Sequence, residues 1–165
     1  MTQITAQDLE HCALPSALEA MGERWSFLIL RGAMSGIRHF EEFQSTLGIA
    51  RNILANRLSR LVENGIMVRQ PMHCDRRKVE YLLTEKGQEL VPVMVALRQW
   101  GERWGSACTQ QFLVDRRDAQ PIQRIRLLAH DGRELTLDDM IWVCAHDAAD
   151  GQDGGDVPLK EAVAA

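Results

Sequence analysis

The tightest constraint on this chain is the stretch from His39 to Thr84, where the hydrophobic period changes from helical to extended. From about His39 to Leu47, Phe40, Phe43 and Leu47 recur at helical spacing, and Gly48 breaks the run. A longer helical pattern follows from about Ala50 to Asn64, with Gly65 where a helix commonly ends in a left-handed residue. Beyond Gly65, Ile66–Met72 and Val79–Thr84 predict two strands joined by the tip His73-Cys74-Asp75-Arg76-Arg77-Lys78. Two helices across a glycine turn, then a hairpin with a basic tip, predict a helix-turn-helix followed by a wing. The fold class is therefore mainly α with a small β-wing (α+β).

The flanks extend this pattern. Pro15 opens a short helix carrying Ala17, Leu18 and Met21, which Gly22 closes. The run from about Trp25 to Met34 is apolar all round, so it predicts a central helix. Thr84 is placed to cap a long helix with Glu85 in its first turn, although Gly87 stands where a capping-box glutamate would be. That helix is expected to reach about Phe112, bent but not ended by Pro92. Along it Leu90, Met94, Leu97, Gly101, Trp104 and Cys108 alternate spacings of four and three. The seam reads as a dimer surface, with a helix packed inside one protomer as the alternative.

Residues 1–117 are expected to form the winged helix-turn-helix and dimerisation domain. Residues 118–145 read as a small β-like C-terminal extension: a strand-like run Ile122–Ala129, an Asp131-Gly132 turn, and a second run ending at Ile141-Trp142-Val143. The acidic residues 146–165, rich in Gly, Asp and Ala, predict a disordered tail.

Charge locates the working surface. The formal net charge of −4 argues against a polyanion partner until it is divided. Residues 118–165 hold 4 basic and 10 acidic side chains, whereas residues 51–78 hold 7 basic and 2 acidic. Attraction to nucleic acid depends on the local field, and this segment covers the second helix and the hairpin. With Leu54, Leu58, Leu61 and Val62 turned inward, Asn52, Asn56, Ser59 and Glu63 point outward, Ala55 and Arg60 lie at the edges, and Arg51 stands at the tip. An Asn pairs adenine and an Arg pairs guanine in the major groove, and small Ala55 permits close approach. Arg76, Arg77 and Lys78 on the hairpin, with Arg38 and His39 at the start of the first helix, suit phosphate contacts. The candidate DNA-binding set is thus Arg51, Asn52, Ala55, Asn56, Arg60, Arg76, Arg77, Lys78, Arg38 and His39. A protein-docking winged helix without sequence-specific DNA binding is the alternative, but such a face normally shows apolar anchors.

Other classes find little support. There is no phosphate-binding glycine loop, nucleophilic triad or paired carboxylate site, so no enzyme is expected. The N-terminus lacks a secretion signal and no apolar run approaches the ~20 residues of a membrane span, so a cytoplasmic protein without membrane contact is expected. The four cysteines, Cys12, Cys74, Cys108 and Cys144, are scattered without zinc-ligand spacing, so neither metal nor cofactor is expected. Cys12 precedes a helix start beside His11, and Cys74 lies near Arg76 and Arg77. Both settings favour a thiolate, although Cys12 also suits the role of a small packed hydrophobe.

Several motifs in order carry a family resemblance over roughly residues 12–104. They are Cys12; Met21-Gly22-Glu23-Arg24-Trp25 running into Ile29-Leu30-Arg31; Phe40 and Phe43; Gly48-Ile49; Leu54 through Leu61; Asn64-Gly65-Ile66 and Arg69; Val79-Glu80-Tyr81; Leu83 through Gly87; Pro92-Val93; Trp100 and Trp104. The chain resembles HxlR-type winged helix-turn-helix regulators, which are related to the MarR and PadR types. The resemblance implies a homodimer, formed through the N-terminal segment and the long helix, on a pseudo-palindromic operator in double-stranded DNA, with repression as the expected sign. It places Arg51, Asn52, Ala55 and Asn56 where the family touches DNA. It sets Cys12 at the reactive cysteine of redox- and electrophile-sensing relatives, implying an oxidant or small electrophile as effector. Ala50 departs from the family's usual Ser or Thr cap, and the extension lies outside the family core.

Overall fold

Nine apolar side chains form one core cluster: Ile29, Leu30, Phe43, Ile49, Leu54, Leu58, Leu61, Ile66 and Met67, none more than 3% exposed. They come from consecutive elements, so the core is built around the helix-turn-helix itself. The computed structural model describes residues 12–72, 78–105 and 111–141. The chain divides into a unit spanning Cys12–Ile125 and a second whose described residues are 126–141. The first holds α1 (Ala13–Met21), α2 (Arg24–Met34), α3 (Phe40–Leu47), α4 (Arg51–Glu63), β1 (Met67–Pro71), β2 (Val79–Leu83), α5 (Glu85–Gln88) and α6 (Val91–Trp104).

Local chemistry sets each boundary. The Cys12 sulfur accepts from the Leu14 amide at 3.5 Å and so caps α1, and Gly22 ends it. As the apolar run predicts, α2 is central, burying Ser26, Ile29, Leu30 and Gly32. A Cβ at Gly32 would lie 3.1 Å from the Phe43 ring, so the missing side chain is what lets α2 and α3 approach. Gly48, with φ of 61°, ends α3 in the left-handed conformation and makes the turn into α4. In α4, Leu54, Leu58 and Leu61 repeat at i, i+4 and i+7 and are all buried. Each such leucine contributes roughly 1.5–3 kcal/mol.

The hairpin pairs antiparallel with Met67 opposite Leu83, Arg69 opposite Tyr81 and Pro71 opposite Val79. The Tyr81 amide donates to the Arg38 carbonyl at 2.8 Å, so the loop before α3 covers the free side of β2. The tip residues 73–77 lie outside the described residues.

Beyond the hairpin the expected long helix is replaced by two. Thr84 does act as cap, accepting from the Gly87 amide at 3.1 Å, but α5 stops at Gln88. Pro92 has no N–H and its ring would clash with the carbonyl four residues back, so the helix breaks and restarts with Pro92 in the first turn of α6. Nor does α6 run to Phe112. The Gly105 amide closes the last turn on the Gly101 carbonyl at 2.8 Å, and a Cβ at Gly105 would meet that oxygen at 2.4 Å. Gly105 is extended, which ends the helix.

Residues 111–125 lie along α6. The Arg98 guanidinium donates to the Gln111 carbonyl, and Gln99 bonds twice, its Nε2 to the Gln123 carbonyl at 3.0 Å and its Oε1 from the Ile125 amide at 2.9 Å. Val114 and Pro121 form an isolated antiparallel bridge. In the second unit the chain turns at Gly132, Leu128 bridges Glu134, and a short 3₁₀ turn covers Leu137–Asp139. A single bridge, Leu128 to Glu134, thus stands where the run Ile122–Ala129 predicts a strand, and Trp142 and Val143 of the second run lie outside the described residues. Among the described residues no helix is long and apolar enough to cross a membrane.

Candidate nucleic-acid interface

Helix α4 has two unlike faces. Opposite its buried leucines, Arg51, Asn52, Ala55, Asn56, Ser59 and Arg60 are exposed, as is Glu63. Ser59 donates to the Glu63 carboxylate at 2.8 Å, which occupies the far end of the face and leaves Asn52, Ala55 and Asn56 as its open middle. No side chain caps the helix at Ala50, and its first turn contains no acid. The amides of that turn therefore face outward without an internal acceptor, which favours an anion. The Arg51 guanidinium stands over the Phe40 ring, 4.9 Å from its centroid.

The remaining nominated cations differ in their surroundings. Lys78 is exposed at the end of the hairpin stem, where its carbonyl accepts from the Met72 amide at 2.9 Å. Arg38 is exposed and pairs with Glu80 at 3.8 Å. His39 is half-buried, and its Nδ1 donates to the Val79 carbonyl at 3.1 Å, tying the start of α3 to β2. Its ring therefore already has a structural task. The amides of Arg38 and then His39 both donate to Glu42, and these bonds hold its carboxyl below the ordinary range. Arg76, Arg77 and Cys74 lie outside the described residues, as does Cys108.

Arg57 behaves differently from its neighbours. Its side chain is only 15% exposed and pairs with Glu23 at 2.9 Å. A turn of 100° per residue sets Arg57 about 40° from Leu61, on the inner side. A second link, Asn64 Nδ2 to the Ala20 carbonyl at 3.1 Å, joins the end of α4 to the end of α1. Cys12, half-buried, sits at the other end of α1.

The heptad seam divides. Leu90 and Met94 pack against the core, Gly101 is half-buried, and Leu97 and Trp104 are 50% and 64% exposed. Val93 and Trp100, 45% and 61% exposed, complete an outward stripe of Val93, Leu97, Trp100 and Trp104. On α1, Leu14 and Leu18 are exposed as well.

A family model described as HxlR-like helix-turn-helix matches residues 20–109, more than half of the chain. The chain belongs to the HxlR-like helix-turn-helix family. The curated relatives that it matches carry the name HTH-type transcriptional regulator. Over 88 residues it is 47% identical to Rv3095 of Mycobacterium tuberculosis, an uncharacterised HTH-type transcriptional regulator. That match covers 53% of this chain and 56% of the relative, so the chain spans little more than half the length of this relative. YodB of Bacillus subtilis, an HTH-type transcriptional regulator, is 36% identical over 55% of this chain and 82% of its own. Among solved structures, PA1607, a candidate transcription factor, superposes with a TM-score of 0.77 at 41% identity, covering 84% of this chain and 99% of that one. HypR, a redox regulator solved in its reduced form, gives a TM-score of 0.51 at 30% identity over 56% of this chain and 92% of its own. The HxlR-like match ends at residue 109, so the extension lies beyond it, whereas the PA1607 likeness takes in part of that extension.

Proposed function

We propose that this chain is a sequence-specific transcriptional regulator, a repressor, that binds a pseudo-palindromic operator in duplex DNA as a homodimer. The observation that carries the reading is the open face of α4, where Asn52, Ala55 and Asn56 are exposed behind an uncapped, cationic N-terminus. Asn52 and Asn56 read base edges, Arg51 stands at the helix tip, and Arg38, Arg60 and Lys78 neutralise phosphates together with Arg76 and Arg77. His39 contributes by holding the start of α3 in place. The stripe Val93, Leu97, Trp100 and Trp104 is the natural seam for a second protomer, since an apolar face of this kind is rarely left to water. Residues 1–117 carry DNA binding and dimerisation, with residues 118–145 an extension and 146–165 a tail.

The regulator responds to thiol oxidation or a small electrophile at Cys12. The cap on α1 and the bond from Asn64, at the end of α4, to the Ala20 carbonyl of α1 support this, because modifying the sulfur removes the cap of a helix joined to the reading helix. The likeness to the redox regulator HypR supports it as well.

The test is fluorescence anisotropy on DNA from immediately upstream of the chain's own gene against a scrambled duplex, in a salt series. Selective binding that falls at least about 10-fold in Asn52→Ala/Asn56→Ala is expected, since each good base contact contributes about 1–3 kcal/mol. Selective binding indifferent to both changes would overturn the assignment of α4. Release by a mild oxidant, absent in Cys12→Ser, tests the switch.

A further inference from the structure

Helix α4 begins against its own electrostatics. Its first residue is Arg51, its cap is Ala50, and no acid lies in its first turn. A cation at a helix N-terminus opposes the macrodipole. Among the described residues Arg38, Arg57 and Arg98 each face a carboxylate, and no ion pair includes Arg51. Its partner is instead the Phe40 ring, with the guanidinium carbon 4.9 Å from the centroid. Phe40 opens α3 and packs against the core cluster, so the ring is held by the fold while the arginine lies exposed.

An aromatic face and a carboxylate do different things to a guanidinium. Both orient it, but a carboxylate also cancels its charge, whereas a ring leaves that charge and all five N–H donors available. We propose that Phe40 is a positioning residue for DNA binding: it holds the Arg51 guanidinium in place, still fully charged, before the duplex arrives. Side-chain ordering that binding would otherwise have to supply is then already made. The inference rests on the reading of Arg51 as a DNA contact. Without the ring, affinity falls by about 2- to 5-fold per protomer, a factor that squares when two protomers grip one operator.

The experiment uses the full chain and a labelled duplex that the wild-type protein selects from a randomised library, with Kd read by anisotropy across a salt series. Phe40→Leu is expected to weaken binding by the stated factor, Phe40→Tyr to retain it, and Phe40→Leu to add nothing in an Arg51→Ala background. Three results would overturn the proposal: Phe40→Leu binding as wild type, Phe40→Tyr failing to restore affinity, or equal losses with and without Arg51. The last result would mark Phe40 as structural only, and urea midpoints of each variant would register the same change. Arg51→Ala binding as wild type would instead remove the underlying reading of Arg51.

Discussion

Replacing Gly87 by alanine sets two physical effects against each other. On propensity alone, Ala in a helix gains about 0.8–1 kcal/mol over Gly. Here a Cβ would lie 2.2 Å from the Ile66 carbonyl oxygen and 3.2 Å from Leu83 Cδ2. Carbon and carbonyl oxygen ordinarily stay about 3.3 Å or more apart, so the two backbones must separate by about 1 Å. The Ile66 carbonyl cannot retreat freely, because it also accepts from the Thr84 amide at 3.1 Å. Thr84 in turn donates its hydroxyl to the Gly65 carbonyl at 2.6 Å and caps α5 through Gly87 itself. Overpacking costs about 1–3 kcal/mol and losing the cap about 1 more. Subtracting the propensity gain leaves a destabilisation of about 1–3 kcal/mol. Urea unfolding followed by tryptophan fluorescence, at one fixed protein concentration, reads this as a lower midpoint with unchanged slope. Thermal melts should fall by at least about 2 °C. A Gly87→Ala protein as stable as wild type would refute the close approach of α5 to the Ile66 carbonyl just before β1.

Ala50→Ser should stabilise the chain by about 0.5–1 kcal/mol in urea, because Ala50 already has the extended backbone of a cap residue but offers no acceptor; no gain would mean the first-turn amides are satisfied otherwise. Glu42 has its folded pKa lowered by the Arg38 and His39 amides, so its contribution is complete above the unfolded value of about 4.3 and is lost as pH falls through the folded one. Glu42→Gln should therefore flatten the acid limb of stability against pH, and an unchanged limb would contradict the bonding at the start of α3. Leu97→Glu should shift the sedimentation of the purified chain from dimer to monomer with the far-ultraviolet spectrum retained, whereas an intact dimer would move the interface elsewhere.

The helix-turn-helix and the hairpin were legible in the residues because their signals are local. Leucine spacing in α4, the breaks at Gly48 and Gly65, and the switch to period two act within a few positions. The break at Pro92 goes further than a bend: a proline about two turns after a capping threonine can restart a helix as well as bend one. Gly87 showed as a missing capping glutamate, but its reason, a carbonyl from another element, lies 21 residues away in the chain. The seam was half legible, since a heptad count gives spacing but not the direction in which the core lies. Leu90 and Met94 belong to that core, and the outward stripe passes through Val93 and Trp100 instead. The Phe40–Arg51 contact had no signal in spacing, because it joins two helices across a turn.

Selection of duplexes from a randomised library tests most directly whether α4 reads bases. The wild-type chain should enrich two half-sites related by a two-fold axis, with centres about one helical turn or a multiple apart. Asn52→Ala and Asn56→Ala should each relax preference at particular base pairs while leaving the half-site spacing intact. Enrichment of no sequence, or of one whose every position survives both substitutions, would contradict the account.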